Sequence, residues 1–196
     1  WGCNNDVGQI HKVLMHRPGD EFKIIDPTKR IDEIGSYGDL EEGWYWQSEH
    51  IPTLAEMQFQ HDALADALRA EGVEVVYLDG VKENQFKSVY TRDSSFAIQG
   101  GAIVSRMAPK MRQGEEQTVS RTLANLGMPI LRTITGSGMI EGGSFAWLNS
   151  ETAVVGRGIR VNDEAIEQLA EVLNRQNVDL MVVDLPAYSI HIDGWM

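Results

Sequence analysis

Three candidate helices in this chain end in the same way, and that shared ending constrains the fold more than any other feature of the sequence. Gly72, Gly127 and Asn177 each follow a helical stretch and lead at once into a short, largely apolar run. Glycine and asparagine tolerate the left-handed geometry that closes a helix, so each reads as a stop joined directly to a strand. The stops recur at roughly 50-residue intervals, a period at which internal structural repeats are sought. Sequence identity between the segments is negligible. What repeats is the order of elements.

In the first segment, residues 9–16 read as a partly alternating strand that ends in the Arg17-Pro18-Gly19-Asp20 turn. Thr53 is placed to cap a helix, with Glu56 as its capping-box partner. Leu54, Met57, Leu64 and Leu68 are expected to share one helical face through about residue 71, and residues 73–78 then form a buried strand. The second segment has strands near 95–98 and 102–106, a helix near 114–125 and a strand at 129–132. The third repeats this with strands at 144–148 and 152–156, a helix over 163–175 capped by Asn162, and a strand at 180–185. Two strands, a helix and a strand make the common unit, and a fourth copy begins at Tyr188. Residues 20–52, with glycine-containing turns and Trp44-Tyr45-Trp46, read as an insertion in the first unit.

The chain has 196 residues, 42% hydrophobic and 23% charged, enough for a substantial core. Its net charge of −12, with no basic run, leaves no electrostatic footprint for nucleic acid and leans toward small cationic or neutral ligands. One cysteine, Cys3, allows no internal disulfide, so the cytoplasm is the expected location. No apolar run approaches the roughly 18 residues of a membrane helix, so no membrane partner is expected.

Three polar clusters interrupt the apolar pattern. Tyr90-Thr91-Arg92-Asp93 places a carboxylate at the entrance of a strand, where an Arg-Asp turn or local ion pair is the commoner reading and a carboxylate aimed at a ligand the other. Ile140-Glu141-Gly142-Gly143 sets an acid before paired glycines that permit close backbone approach, and a glutamate beside a histidine raises its proton affinity. In His191-x-Asp193 both side chains share a face if the segment is extended. Such a set suits a planar cation. A metal could use the same pair, but His11, His16, His50 and His61 offer no complementary ligand spacing, so neither metal nor cofactor is expected. Gly136-Ser137-Gly138 lacks the lysine and helix of a phosphate loop. Arg106 and Arg112 flank a turn, and Arg157 and Arg160 lie between a strand and the Asn162-capped helix, where a guanidinium fork can take a carboxylate. Cys3 is the weakest candidate nucleophile, having no base nearby in sequence.

Taken in order, these motifs resemble the guanidino-group-modifying superfamily of arginine deiminases, dimethylarginine dimethylaminohydrolases and amidinotransferases. The correspondence runs through residues 8–18, 90–93, 106–112, 140–145, 156–169 and 191–194. It implies a pentein-type α/β-propeller of ββαβ modules within a single, incomplete catalytic domain over 1–196. About three modules plus the start of a fourth are present, near 1–80, 88–132, 138–186 and 188–196.

The resemblance further implies that Asp93 and Asp193 bind the substrate guanidinium, that Glu141 supports His191 as general acid/base, and that the arginines Arg106, Arg157 and Arg160 are candidates for substrate binding. The family nucleophile is a cysteine of the fifth module, and no residue in this chain takes that place. Ser144 stands where family members often carry Asp, which leaves the branch open. The implied function is hydrolysis of a guanidino C–N bond in arginine or a relative. The alternatives are amidino transfer to an amine, or a non-catalytic binding protein of the same fold. The expected partners are a small guanidino substrate, the missing C-terminal modules in cis or in trans, and a second copy in a homo-oligomer. An incomplete ring exposes an apolar sheet edge, so a fragment should associate.

Overall fold

A computed structural model describes residues 1–39, 41 and 44–195. These form two compact units, one of residues 10–89 and one of residues 1–9 together with 90–196. Gly43 of the insertion and Met196, assigned above to the fourth module, lie outside the described residues.

In the unit of residues 10–89, strand β1 (Lys12–Met15) is followed by a small antiparallel sheet made of β2 (Arg30–Ile31), β3 (Ser36–Asp39) and β4 (Trp44–Gln47). The insertion is therefore a three-stranded meander, anchored by the buried Trp44, rather than turns alone. Helix α1 (Leu54–Ala70) begins with the expected capping box: Glu56 N–H donates to Thr53 Oγ1 at 3.2 Å, and Thr53 N–H donates to Glu56 Oε2 at 2.7 Å. It stops at Gly72, where φ is +79°. Strand β5 (Glu74–Tyr77) then pairs parallel with β1, Lys12 opposite Glu74 and Met15 opposite Tyr77.

Two details differ from the sequence reading. Leu64 is 56% exposed, because the inward stripe of α1 runs through Leu54, Met57, His61, Ala65 and Leu68, one position away from it. Strand β5 is half-exposed instead of buried, since it belongs to a two-stranded sheet. Among the described residues β1 has no antiparallel partner, so the leading strand pair of the common unit is not repeated here.

The second unit carries the repeat twice. A helical turn, α2 (Thr91–Ser94), leads into β6 (Ser95–Ile98), β7 (Gly101–Val104), helix α3 (Glu115–Asn125) and β8 (Ile130–Thr133). Then follow β9 (Phe145–Asn149), β10 (Thr152–Arg157), helix α4 (Asp163–Asn174) and β11 (Asp179–Asp184). In each set the first two strands pair antiparallel, and the strand after the helix joins the middle strand in parallel. The helix is the crossover that a parallel pairing requires.

The stops behave as expected: Gly127 has φ +73°, and Asn177, at +57°, is the one non-glycine residue with positive φ among the described residues. Asn162 caps α4 by accepting the Ala165 N–H at 3.2 Å. One core spans both sets and includes Phe96, Ile103, Phe145, Trp147, Leu169 and Leu173, with Phe96 stacked on Phe145 at 4.7 Å between centroids. After β11 the chain runs through turns to residue 195 and forms no strand among the described residues.

Candidate active site

Each side chain of the site is carried by a bend or turn at the end of a regular element. Asp93 lies in the turn α2 just before β6, its N–H donating to Tyr90 O at 3.1 Å, and its side chain is buried. The neighbouring Arg92 points elsewhere, donating to Phe145 O at 2.6 Å, so the Arg-Asp pair is not a local ion pair. Glu141 follows Ile140, which bridges to Arg106 through its backbone, and it is 1% exposed. His191 and Asp193 lie in the tail after β11. Ile192 between them sinks into an apolar cluster with Ala146, Val154 and Leu185, while Asp193 N–H donates to Gly143 O at 3.1 Å. The expected alternation of His191 and Asp193 against Ile192 thus holds without a strand ladder.

These residues form a chain of alternating charge. Arg112, at the end of a 3₁₀ turn before α3, donates from Nε to Glu115 Oε1 at 3.0 Å and from Nη2 to Glu115 Oε2 at 2.8 Å. Its Nη1 donates to Asp93 Oδ2 at 2.5 Å. Asp93 Oδ1 lies 3.7 Å from His191 Nδ1, and His191 Nε2 shares a 2.8 Å hydrogen bond with Glu141 Oε2. Glu141 Oε1 then accepts from Arg160 Nη1 at 3.3 Å.

Burial alone drives the His191 imidazole toward its neutral form. The hydrogen bond to Glu141 and the charges of Asp93, Glu141 and Asp193 outweigh burial, so its pKa is raised. Burial likewise pushes Glu141 up, but the His191 hydrogen bond and the Arg160 and Arg112 charges win, and its pKa is lowered. The two shifts agree: imidazolium and carboxylate hold each other ionised. Burial raises the Glu115 carboxyl against the pull of Arg112. For Arg112, the Glu115 and Asp93 contacts overcome burial and keep the guanidinium charged.

The structure therefore brings together Asp93, Glu141, His191, Asp193 and Arg160 of the sequence candidates. Arg106 enters through its backbone bridge to Ile140. Arg157 sits apart, donating from Nε to Asp184 Oδ1 at 2.6 Å and from Nη1 to Asp163 Oδ1 at 2.8 Å at the open end of β10. Sequence reasoning placed Arg112 beside a turn but not against Asp93, and it passed over Glu115. The only signal for that pair was the Arg-x-x-Glu spacing at a helix entrance.

Asp93, Glu141 and His191 each offer an atom within 4.8 Å of the others, close enough for a cation to bridge. Two guanidinium groups already neutralise these carboxylates, and Glu141 is committed to His191 Nε2. A divalent ion would meet that positive charge, whereas a planar monocation needs only the open acceptor positions of Asp93 and Asp193. Cys3 lies outside the cluster: its Sγ donates to Ala97 O at 3.5 Å, and burial, then the Asp6 charge, raise its pKa, the reverse of what activates a thiol.

A family model described as "N,N dimethylarginine dimethylhydrolase, eukaryotic" matches residues 44–196. The chain belongs to this family. Membership places the dimethylarginine dimethylhydrolase-family chain in the guanidino-group-modifying, or pentein, superfamily. YkgA, an uncharacterized protein of Bacillus subtilis strain 168, is 29% identical over 191 residues, covering 97% of this chain and 60% of its own length. An arginine deiminase of Rhodococcus jostii strain RHA1 is 34% identical over 139 residues, 70% of this chain and 30% of the deiminase.

Among solved structures, dimethylarginine dimethylaminohydrolase from Pseudomonas aeruginosa, a cysteine-to-serine mutant complexed with citrulline, superposes with a TM-score of 0.72 at 20% identity, covering 94% of this chain and 64% of that one. An amidinotransferase from Microseira wollei of the saxitoxin pathway gives 0.70 at 14% identity, covering 98% and 65%. These likenesses show the α/β pentein fold. The family chain spans less than two thirds of each of these four proteins. Among its described residues no helix is long and apolar enough to cross a membrane.

Proposed function

We propose that the complete protein hydrolyses a guanidino C–N bond of arginine or a related compound, in the manner of the arginine deiminases and dimethylarginine dimethylaminohydrolases it resembles. The observation that carries this reading is the pair of buried Glu141 and half-buried His191 facing Asp93. Asp93 Oδ1 and Asp193 accept the substrate N–H groups, and Arg160, whose buried Nε lacks a partner among the described residues, takes the substrate carboxylate. A cysteine outside these 196 residues attacks the guanidinium carbon as thiolate, forming a C–S bond. His191 passes its proton to the departing amine as the C–N bond breaks. It then takes a proton from water, whose oxygen bonds to the same carbon and releases the thiolate.

The fold reading that goes with this is an α/β-propeller of ββαβ modules, completed by further modules beyond residue 196, in cis or in trans. The two ββαβ sets of the second unit support it. Cys3, with no second cysteine among these 196 residues to pair with, fits a reducing, cytoplasmic setting, and homo-oligomers fit the same scheme.

The test is an acid quench of the complete protein during turnover with arginine, and separately with a methylated arginine, followed by intact mass. An adduct with the mass of the substrate less its departing amine, together with citrulline, is the expected outcome. Absence of both adduct and citrulline with either substrate overturns the proposal, and appearance of a new guanidino compound only when an acceptor amine is added reassigns the protein as an amidinotransferase.

A further inference from the structure

We propose that Gly143 is the positioning residue that seats the acid/base histidine, through the absence of its side chain. The tail carrying His191 has no strand ladder to fix it, so its placement rests on the turn formed by Gly142, Gly143 and Ser144. Gly143 O accepts the Asp193 N–H at 3.1 Å, and the buried Ser144 hydroxyl donates to Ile190 O at 3.4 Å. The two contacts grip the tail on either side of His191. Between them the imidazole crowds the space that a Gly143 side chain would need. A β-carbon built there would sit 2.6 Å from His191 Nδ1, 2.8 Å from Cγ and 3.0 Å from Asp193 Oδ2. Distances under 3 Å to ring atoms are far inside van der Waals contact, so the ring must move.

Movement has a specific chemical consequence, because the same ring holds the 2.8 Å bond to Glu141 and faces Asp93 at 3.7 Å. Displacement lengthens the first contact and leaves burial, which favours the neutral ring, with less opposition. Gly143 has no positive φ, so a substitution there introduces no backbone strain to confuse the readout. The inference rests on His191 as the proton carrier of the proposed reaction, but its test needs no turnover.

In the complete protein, His191 is titrated by NMR in wild type and Gly143→Ala, assigned with His191→Gln. Unfolding is measured for Gly143→Ala in both the wild-type and the His191→Ala backgrounds. Gly143→Ala should lower the His191 titration midpoint and destabilise the protein, and removing the imidazole should relieve most of that destabilisation. An unchanged midpoint, or an equal loss of stability with and without the imidazole, overturns the proposal. If Gly143→Ala alone does not fold, recovery of folding in Gly143→Ala/His191→Ala supports it and failure of that double variant overturns it. Both signatures in a protein that turns over no guanidino substrate would count against the hydrolase reading and not against the seat.

Discussion

Replacing Arg112 with methionine tests whether the alternating charge network is held together from its buried end. The guanidinium is 7% exposed and stands between two carboxylates that are also buried, Asp93 at 6% and Glu115 at 2%. Its N–H groups donate to both of them through charge-assisted hydrogen bonds and, at 3.2 Å, to Tyr90 O. Methionine fills similar space but leaves both acids without their cation. Removing one partner of a buried ion pair costs about 3–5 kcal/mol, because the remaining charge is neither solvated nor paired. Against a typical stability of about 5–15 kcal/mol this is a large fraction.

The cost must depend on pH in a defined direction. Burial already raises the Glu115 carboxyl, and loss of Arg112 raises it further, so in the variant the folded state binds protons more tightly than the unfolded chain. A group raised in this way makes stability fall as pH climbs above its unfolded value. The deficit of Arg112→Met relative to wild type should therefore be greatest near neutrality, shrink as pH falls, and be smallest below about pH 4.5, the ordinary range of a glutamate. Urea unfolding of wild type, Arg112→Met and Arg112→Met/Glu115→Gln at neutral and acid pH reads this directly, provided m-values match. The double variant should recover part of the loss. A deficit under about 1 kcal/mol at neutral pH, the range of an exposed pair, or one that does not shrink in acid, would refute the idea that Arg112 compensates two buried charges.

Glu141→Gln keeps the shape of the acid but removes its charge, and should lower the His191 midpoint measured by NMR. In wild type the raised His191 stabilises the fold below its unfolded pKa and loses that contribution as pH rises through the folded value. The lowered Glu141 stabilises above its own unfolded pKa and loses the contribution as pH falls, so the pair contributes most between about pH 4.5 and 6.5. Asp93→Asn should weaken binding of a guanidino ligand by calorimetry roughly 10- to 150-fold, the loss of a hydrogen bond to a charged group worth about 1.5–3 kcal/mol; unchanged affinity would misplace the cation. Arg157→Ala should leave that affinity alone and cost under about 1 kcal/mol of stability, since its partners Asp184 and Asp163 are on the surface. Residues 1–196 expressed alone should associate on size-exclusion chromatography through β11 and the tail, where Met181, Val182, Val183, Tyr188 and Trp195 are exposed; a clean monomer would contradict this.

The parts of this fold that sequence reasoning reached are those decided locally. Thr53 and Glu56 cap a helix with their own side chains, and Asn177 takes a left-handed conformation because its neighbours in the chain require a stop. The parts it missed are decided by partners far away. Nothing in residues 73–78 distinguishes a strand buried on both faces from one in a two-stranded sheet, and Leu64 differs from Ala65 only in which side of α1 meets the rest of its unit. The same division runs through the site. Asp93, Glu141 and His191 stand out as members of short polar clusters between apolar segments, so their candidacy was legible. Arg112 did not, since an arginine after a turn looks the same whether it faces water or Asp93. The choice between Arg157 and Arg160 is made by distance alone: one reaches two surface acids, and the other reaches Glu141. A carboxylate buried at residue 141 without charge compensation would be unstable, so the fold had to supply a cation there, but only the path of the chain between β10 and α4 determines which of the two arginines arrives.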